Sequence, residues 1–283
     1  MHNNFLAVCF ALLSALVIAW GTVVRHRIAE QAPADGTWSG SPLITAIRRP
    51  LWWFATSTAL IGYSLQVVAL SYGSLLIVQP LLVLSLMFTM PMSAIYDKRP
   101  LYRDEIAWAA VLTIAVATLI TLGRPLPGKG HPELYVWLAA LGIGLGVIAI
   151  IYFATRTKNN NIRGIALGVI VGIIYGFIAV LSKATVDIFY QSGLLGLLTH
   201  WVFWALIAGA IGGTIVQQFA FNTGALRLSL PSMTSVEPVI AFTLGYVILG
   251  EHFHVHGLNW IIMAVALLAM MTSTFALSAR ANS

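Results

Sequence analysis

Long apolar runs separated by short polar segments fill most of the chain. A helix needs about 20 mostly apolar residues to cross the roughly 30 Å hydrocarbon core of a bilayer. Nine runs reach about this length, at residues 5–24, 51–71, 74–95, 105–123, 134–154, 164–185, 198–221, 226–249 and 257–277. The pattern therefore predicts an all-α polytopic membrane helix bundle with about nine transmembrane helices.

Composition excludes an ordinary soluble domain. Hydrophobic residues make up 59% of the 283 residues and charged residues only 8%, against about a quarter charged in soluble domains. The basic residues lie in short loops, which argues against a nucleic-acid partner and for the lipid bilayer as the main solvent. The single cysteine, Cys9, allows neither an intrachain disulfide nor a cysteine metal cluster. Nucleotide-binding, hydrolase and metalloprotease motifs are absent from the sequence, so neither an enzyme nor a cofactor is predicted.

The positive charges predict the orientation in the membrane. Twelve of the fifteen Lys and Arg follow the first, third, fifth and seventh runs or lie in the C-terminal tail. Because cytoplasmic loops are enriched in Lys and Arg, we expect the N-terminus outside and the C-terminus in the cytoplasm of a plasma (inner) membrane. Residues 25–50 are expected to form a cytoplasmic loop. The first run lacks a basic start and a small-residue cleavage site, so we expect a permanent span rather than a signal peptide.

The order of features in the first four runs recurs in the last four. Small residues recur every four positions in the first and sixth runs, at Ala7, Ala11, Ala15, Ala19, Gly164, Gly168, Gly172 and Gly176. Because one linking run separates the two sets, the second copy would be inverted, an arrangement found in many secondary transporters. We expect a first repeat at 1–124, a linking span with its loops at 125–160 and a second repeat at 161–283. The small-residue stripes themselves are expected to be helix contact surfaces.

Glu237 lies near the middle of the eighth run. A charged side chain at this depth costs at least about 2.5 kcal/mol on insertion scales, so it usually faces a cavity, a partner or a proton path. Pro231 and Pro238 remove backbone donors, free carbonyl oxygens and are expected to interrupt the helix. We predict that Glu237, Pro238 and Ser235 line a substrate or ion pathway. A buried protonated acid bonded to a neighbouring helix is the alternative.

Further polar positions in the apolar runs are candidates for the same pathway. Gln79 and Pro80 in the third run match Glu237 and Pro238 in the proposed repeat, with a neutral amide in place of the acid. Gln66, Gln217 and Asn222 lie on the second and seventh runs, which the repeat makes counterparts. Amides also serve as hydrogen-bonding groups between membrane helices, so packing is the alternative for each.

Lys183 lies near the predicted outer end of the sixth run. Its ammonium could extend to the membrane interface, as long basic side chains often do. An ion pair with Glu237 or Asp187, or contact with an anionic substrate, is the alternative that would place Lys183 on the pathway.

Three histidines alternate in the predicted outer segment 251–256, at His252, His254 and His256. In an extended loop their rings would share one face, which could hold a transition metal such as zinc. Solvated histidines without a metal are the simpler interpretation, and no metal site is predicted.

Three stretches carry a family resemblance: GVIVGIIYGFIAVLSKAT, ALRLSLPSMTSVEPVIAFTLGYVILGEHF and RRPLWWFATSTALIGYSLQVVALSYGSLLIVQPLLVLSLMF. Over essentially the whole chain they resemble the drug/metabolite transporter (DMT, EamA-like) superfamily, and within it the NIPA-type, magnesium-transporter-like branch. The resemblance implies alternating access through a central cavity between inverted halves, without ATP. The acid that the family has at the end of the third span appears here within Asp97-Lys98-Arg99, so a role for it is not carried over.

Three functions are open from the sequence. The first is a secondary transporter of a small organic metabolite or drug, in which Glu237 binds a coupling proton or a cationic group. The second is a NIPA-like divalent-cation (Mg²⁺) permease, in which carbonyls freed beside Pro80 and Pro238 add oxygen ligands. The third is a non-transporting membrane subunit whose small-residue stripes are oligomer faces. The expected partners are the bilayer and a small-molecule or cation substrate, with a homodimer left open.

Overall fold

The computed structural model describes residues 3–30, 50–96, 98, 100–126, 128, 133–222 and 226–280, which form a helical bundle. Its elements in chain order are α1 (Asn4–Glu30), α2 (Pro50–Tyr72), α3 (Leu75–Val83), α4 (Ser85–Tyr96), α5 (Arg103–Gly123), β1 (Pro125–Leu126), α6 (Leu134–Thr155), α7 (Asn160–Thr199), α8 (Trp201–Asn222), α9 (Leu226–Val247), β2 (His252–Phe253) and α10 (Asn259–Arg280). Each predicted apolar run coincides with helix in these ranges, since α3 and α4 together form the third run. The predicted helical bundle is therefore confirmed.

Six helical segments in the described ranges are long and apolar enough to cross a membrane, at Asn4–Val24, Leu75–Tyr96, Arg103–Gly123, Leu134–Thr155, Asn160–Thr199 and Asn259–Arg280. Two shorter apolar segments belong to α2 and α8. Helix α9 is not among the six, and it carries Glu237 together with several hydroxyl side chains. Six such helices indicate an integral membrane protein. That α2, α8 and α9 also cross the bilayer stays a prediction.

The small-residue stripes are helix contact surfaces, as predicted. Four alanines of α1 are fully buried against neighbouring helices: Ala7, Ala11, Ala15 and Ala19. On α7, a Cβ atom at Gly172 would lie 2.9 Å from the carbonyl oxygen of Met233, and one at Gly176 would lie 2.5 Å from Cγ2 of Ile240. Because these positions lack side chains, the backbones of α7 and α9 approach closely.

The third span is divided at Leu84, whereas the eighth is continuous. α3 continues past Pro80 to Val83, and Leu84, with φ −62° and ψ −12°, separates it from α4. α9 instead runs unbroken through Pro231 and Pro238, so the expected interruption of the eighth span is wrong. Close packing of α9 on α7 accompanies this continuous helix.

Helix α7 extends beyond its predicted span of 164–185. It begins at Asn160 and keeps helical geometry up to Gly193, where φ is 65° and ψ is −169°. A residue without Cβ adopts this conformation readily, so glycine permits the break. The extension adds the helical turns that carry Asp187 beside Lys183.

One end of the bundle gathers β1, β2 and the turn between α2 and α3, and we call it the strand end. There β1 pairs with β2 in antiparallel register, and the amide of Asn3 donates to the carbonyl oxygen of Tyr72 at 3.0 Å. At the opposite end, Arg280 and Asp104 form an ion pair of 3.0 Å. Asn3 and Arg280 therefore lie at opposite ends of the bundle. The side of the membrane that each end faces, the inverted repeat and its boundaries stay predictions.

Candidate functional site

A polar cluster lies between α7, α8 and α9. The hydroxyl of Tyr175 donates to Oε1 of Gln217 at 3.1 Å and lies near the side chain of Thr214, whose own hydroxyl donates to the carbonyl oxygen of Ala210. The amide Nε2 of Gln217 lies 3.4 Å from Sδ of Met233. Glu237 lies close enough to Tyr175 to interact with it electrostatically. We call these five residues the Glu237 cluster. It contains one carboxyl group together with the neutral side chains of a tyrosine, a threonine, a glutamine and a methionine.

Within the described part of the chain, Glu237 is without the partners that normally compensate a carboxyl group away from water. It is the twelfth of the 22 residues of α9 and is partly buried. Among the described residues, its carboxyl group has neither a hydrogen bond nor an ion pair. The alternative of an acid bonded to a neighbouring helix is therefore not observed in that part of the chain. If α9 crosses the membrane as predicted, a proton or a bound cation would remove the cost of this carboxylate.

The glycine stripe of α7 sets the position of the Glu237 cluster. Gly172 and Gly176 pack directly on α9, and Tyr175 lies between them in the sequence. A Cβ atom at Gly172 would lie 2.8 Å from Cβ of Val236, the residue before Glu237. The close approach of the two helices therefore occurs at the level of the acid. Tyr175 was not predicted as a site residue, because an aromatic residue in an apolar run usually indicates packing.

Two predicted pathway residues carry buried polar atoms that lack partners in the described part of the chain. These atoms are Nε2 of Gln79 and Oγ of Ser235, in side chains that are 2% and 8% exposed. Pro80 and Pro238 are also buried. Helix α3 packs against α9, so the Gln79-Pro80 and Glu237-Pro238 pairs lie on neighbouring helices. A buried donor without a partner costs about 1–3 kcal/mol, which a ligand or a second conformation could recover.

The described part of the structure does not connect Gln66 or Asn222 to the Glu237 cluster. Gln66 is partly buried on α2, and no hydrogen bond joins it to the Glu237 cluster in the described ranges. Asn222 is the last residue of α8, and its side chain lies outside the described residues. Among the described amide side chains of the second and seventh runs, Gln217 joins the Glu237 cluster through Tyr175.

Lys183 pairs with Asp187 rather than reaching for the membrane interface. Its Nζ lies 2.9 Å from Oδ1 of Asp187 and donates to the carbonyl oxygen of Leu70 at 2.8 Å. The side chain is 4% exposed, too buried to extend into water. Of the partners considered from sequence, Asp187 is the one observed, at the i, i+4 spacing that brings helical side chains together.

Glu251 is a buried acid that sequence reasoning treated only as part of the histidine segment. Its two carboxyl oxygens accept the backbone N–H groups of Leu75 and Leu76, at 2.9 and 3.0 Å. The side chain is 1% exposed, although it follows α9 in a loop. Burial raises the pKa of Glu251 to about 7, against the lowering effects of the two N–H groups and the charge of Lys183. Acids in loops are usually solvated, so this burial could not be expected from the sequence.

The three histidines do not share one binding face. Nδ1 of His252 lies 3.1 Å from the carbonyl oxygen of Gly250, whereas the Nε2 atoms of His254 and His256 face each other at 3.3 Å. The described residues contain no group of three His, Cys, Asp or Glu side chains that could hold a metal ion. The segment therefore gives no support to a three-histidine zinc site.

Comparison with known proteins places the chain in a family. It is 51% identical over 278 residues to the uncharacterized protein Cgl0250/cg0304 of Corynebacterium glutamicum, covering 98% of this chain and 96% of that protein. The chain belongs to the same family as this protein. No model of a known protein family matches the chain, so membership of the DMT superfamily stays a prediction. No solved structure matches it either.

The chain is also distantly related to proteins named as probable magnesium transporters in Arabidopsis thaliana. It is 25% identical to NIPA4 over 170 residues, which is 56% of this chain and 49% of that protein. It is 22% identical to NIPA5 over 222 residues, which is 72% of this chain and 56% of that protein. The match to NIPA7, at 22% identity, covers 86% of this chain and 77% of that protein. These names are those of membrane transporters rather than enzymes.

Proposed function

We propose that the protein is a secondary transporter in which Glu237 binds a cation inside the membrane. The observation that carries the proposal is the carboxyl group of Glu237 in the middle of α9, near Tyr175 and without a hydrogen bond or ion pair to any described residue. An isolated carboxylate away from water is costly, and intramembrane acids usually mark ion or proton paths. A bound cation or proton removes this cost, and its exchange at the two membrane faces would constitute transport by alternating access.

Mg²⁺ is the first substrate to test. The distant relatives are named as probable magnesium transporters. Mg²⁺ prefers oxygen ligands, keeps several of its waters and is usually held by one or two carboxylates. The Glu237 cluster contains one carboxyl group, which interacts electrostatically with Tyr175, and the side-chain oxygens of Tyr175, Thr214 and Gln217. This donor set suits a hydrated ion better than a dehydrated one.

A small organic cation or metabolite, exchanged for a proton at Glu237, is the second candidate. The cluster also contains the sulfur of Met233 and the ring of Tyr175. Apolar and aromatic walls with few polar groups are typical of sites for organic ligands, and aromatic faces attract organic cations. The site therefore offers favourable contacts to this class as well.

A non-transporting scaffold is the weakest interpretation. In this interpretation the small-residue stripes are oligomer faces. The stripe of α1, however, is fully buried within the chain. The stripe of α7 likewise packs on α9 of the same chain. Neither stripe is thus left open to a second copy.

The test is Mg²⁺ uptake into liposomes that contain purified protein and an internal magnesium-sensitive dye. We expect flux with the wild type, loss of flux with Glu237→Gln, and wild-type flux with Glu133→Gln, which removes an exposed acid at the start of α6. If the wild type moves no Mg²⁺, the same vesicles are tested with small organic cations under a pH gradient. Absence of transport in both assays, or equal transport by Glu237→Gln, would contradict the proposal.

A further inference from the structure

Charged side chains of the second predicted half hold a corner of the first half at the strand end. The corner is the turn between α2 and α3, residues 70–76. Glu251 contacts its α3 side and Lys183 contacts its α2 side. Asp187 pairs with Lys183, so all three charged groups belong to one connected set.

The charges match the helix ends that they contact. Helix N-termini carry unpaired N–H groups and a partial positive charge, and C-termini carry unpaired carbonyls and a partial negative charge. Glu251 binds the first two N–H groups of α3, at Leu75 and Leu76. Lys183 binds the carbonyl oxygen of Leu70, in the last turn of α2. Both ends of the corner thus depend on the second predicted half.

Ser74 makes this dependence unusual. Serine at the position before a helix commonly caps the helix itself, by accepting one of the first N–H groups. Here Ser74 precedes α3 but makes no side-chain cap. Its hydroxyl is buried and lacks a hydrogen-bond partner in the described ranges. If Glu251 withdrew, Ser74 could take over the amide of Leu76. The corner therefore has two alternative caps, one local and one supplied across the predicted halves.

We propose that the contact of Glu251 and Lys183 with residues 70–76 is a latch that closes the strand end, and that this end opens when Glu251 leaves the N-terminus of α3. The inference rests on the proposed transporter function, since a latch of this kind gates a pathway. In the open state, Ser74 caps α3 and the amide of Leu76 keeps a partner. The exchange of caps lowers the cost of opening.

Cross-linking can measure how often the latch is closed. A Cβ atom at Gly245 would lie 3.9 Å from Cβ of Leu75, inside the range of about 3.5–4.5 Å that disulfides require. The Leu75→Cys/Gly245→Cys pair, in a Cys9→Ala background, joins α3 to α9 across the predicted halves. The rate of disulfide formation under a mild oxidant reports the closed population without any substrate.

Four variants of this pair test the latch. We expect Glu251→Ala and Lys183→Met to slow cross-linking roughly tenfold, the scale of losing a hydrogen bond to a charged group. Ser74→Ala removes the alternative cap and should cross-link at least as fast as the parent. Glu133→Ala, at an exposed acid, should leave the rate unchanged. If Glu251→Ala does not fold, the cross-linking rate of Lys183→Met tests the latch.

An unchanged rate of cross-linking in folded Glu251→Ala or Lys183→Met protein would overturn the proposal. Glu251 would then be a permanent cap of α3 rather than part of a latch. Slower cross-linking in Ser74→Ala would contradict the exchange of caps. In liposomes, the oxidised pair should stop transport and a reductant should restore it, whereas transport by the oxidised pair would also overturn the latch. If the wild type transports nothing, the proposed function fails while the cross-linking rates still test the latch.

Discussion

Gly172→Ala perturbs the contact between α7 and α9 at the level of Glu237. The added Cβ atom would lie 2.8 Å from Cβ of Val236 and 2.9 Å from the carbonyl oxygen of Met233. Both distances are shorter than ordinary van der Waals contact, and one of the neighbours is backbone, which cannot rotate away. The two helices must therefore separate by several tenths of an ångström.

The expected magnitude follows from two opposing effects. Overpacking a well-packed interior costs about 1–3 kcal/mol, whereas replacing glycine by alanine inside a helix recovers up to about 1 kcal/mol. Gly142→Ala on α6 is the matched control, because its Cβ atom would meet nothing within 4 Å. The helix-propensity gain is common to both variants. Gly172→Ala should thus be less stable than Gly142→Ala by the overpacking cost alone, about 1–3 kcal/mol.

The assay is thermal unfolding of the purified proteins in detergent, with transport in liposomes as a second readout. We expect a lower unfolding midpoint for Gly172→Ala and an unchanged or higher one for Gly142→Ala. Transport should also fall in Gly172→Ala, since a displaced α9 carries Glu237 away from Tyr175. Equal stability of the two variants would refute the close approach of α7 and α9.

Two further predictions concern the polar side chains. Tyr175→Phe removes the hydroxyl that donates to Gln217. The apparent KM for the transported cation should therefore rise several-fold, while the free energy of unfolding should fall by only about 0.6 kcal/mol. Tyr246→Phe, at a 65% exposed tyrosine of α9, is the control and should match the wild type in transport kinetics. Because burial raises the pKa of Glu251 from 4.5 to about 7, the folded protein keeps a proton that the unfolded chain releases. The free energy of unfolding should therefore fall by up to about 3 kcal/mol as the pH rises between these two values. Thermal unfolding at a series of pH values measures this dependence of stability on pH. Glu251→Gln should abolish the dependence and Glu133→Gln should keep it. A dependence that persists in Glu251→Gln would show that another group causes it.

The helices were predictable because the length of an apolar run is a property of the sequence alone. The sequence also singles out Glu237 as a candidate site residue, since an acid inside such a run usually has a partner or a function. Its role in a pathway stays a prediction. The pairing of Lys183 with Asp187 follows from their i, i+4 spacing on one helix. These features depend on neighbours along the chain.

Features that depend on distant contacts could not be predicted in the same way. Tyr175 belongs to the Glu237 cluster only because α8 and α9 bring Gln217 and Glu237 to it. Glu251 resembles a solvated loop acid until α3 is placed against it. Helix α9 is continuous through its two prolines and packs closely against α7. This packing cannot be read from the positions of the prolines in the sequence.

Protection of Glu237 from chemical modification tests the central claim most directly. Hydrophobic carbodiimides react with carboxyl groups inside membranes, and mass spectrometry of the digested protein identifies the modified residue. If Glu237 binds the transported cation, the cation should slow modification of Glu237 in a concentration-dependent manner, while an ion that is not transported should have no effect. Modification of Glu237 at the same rate with and without a cation that the wild type transports would contradict the account.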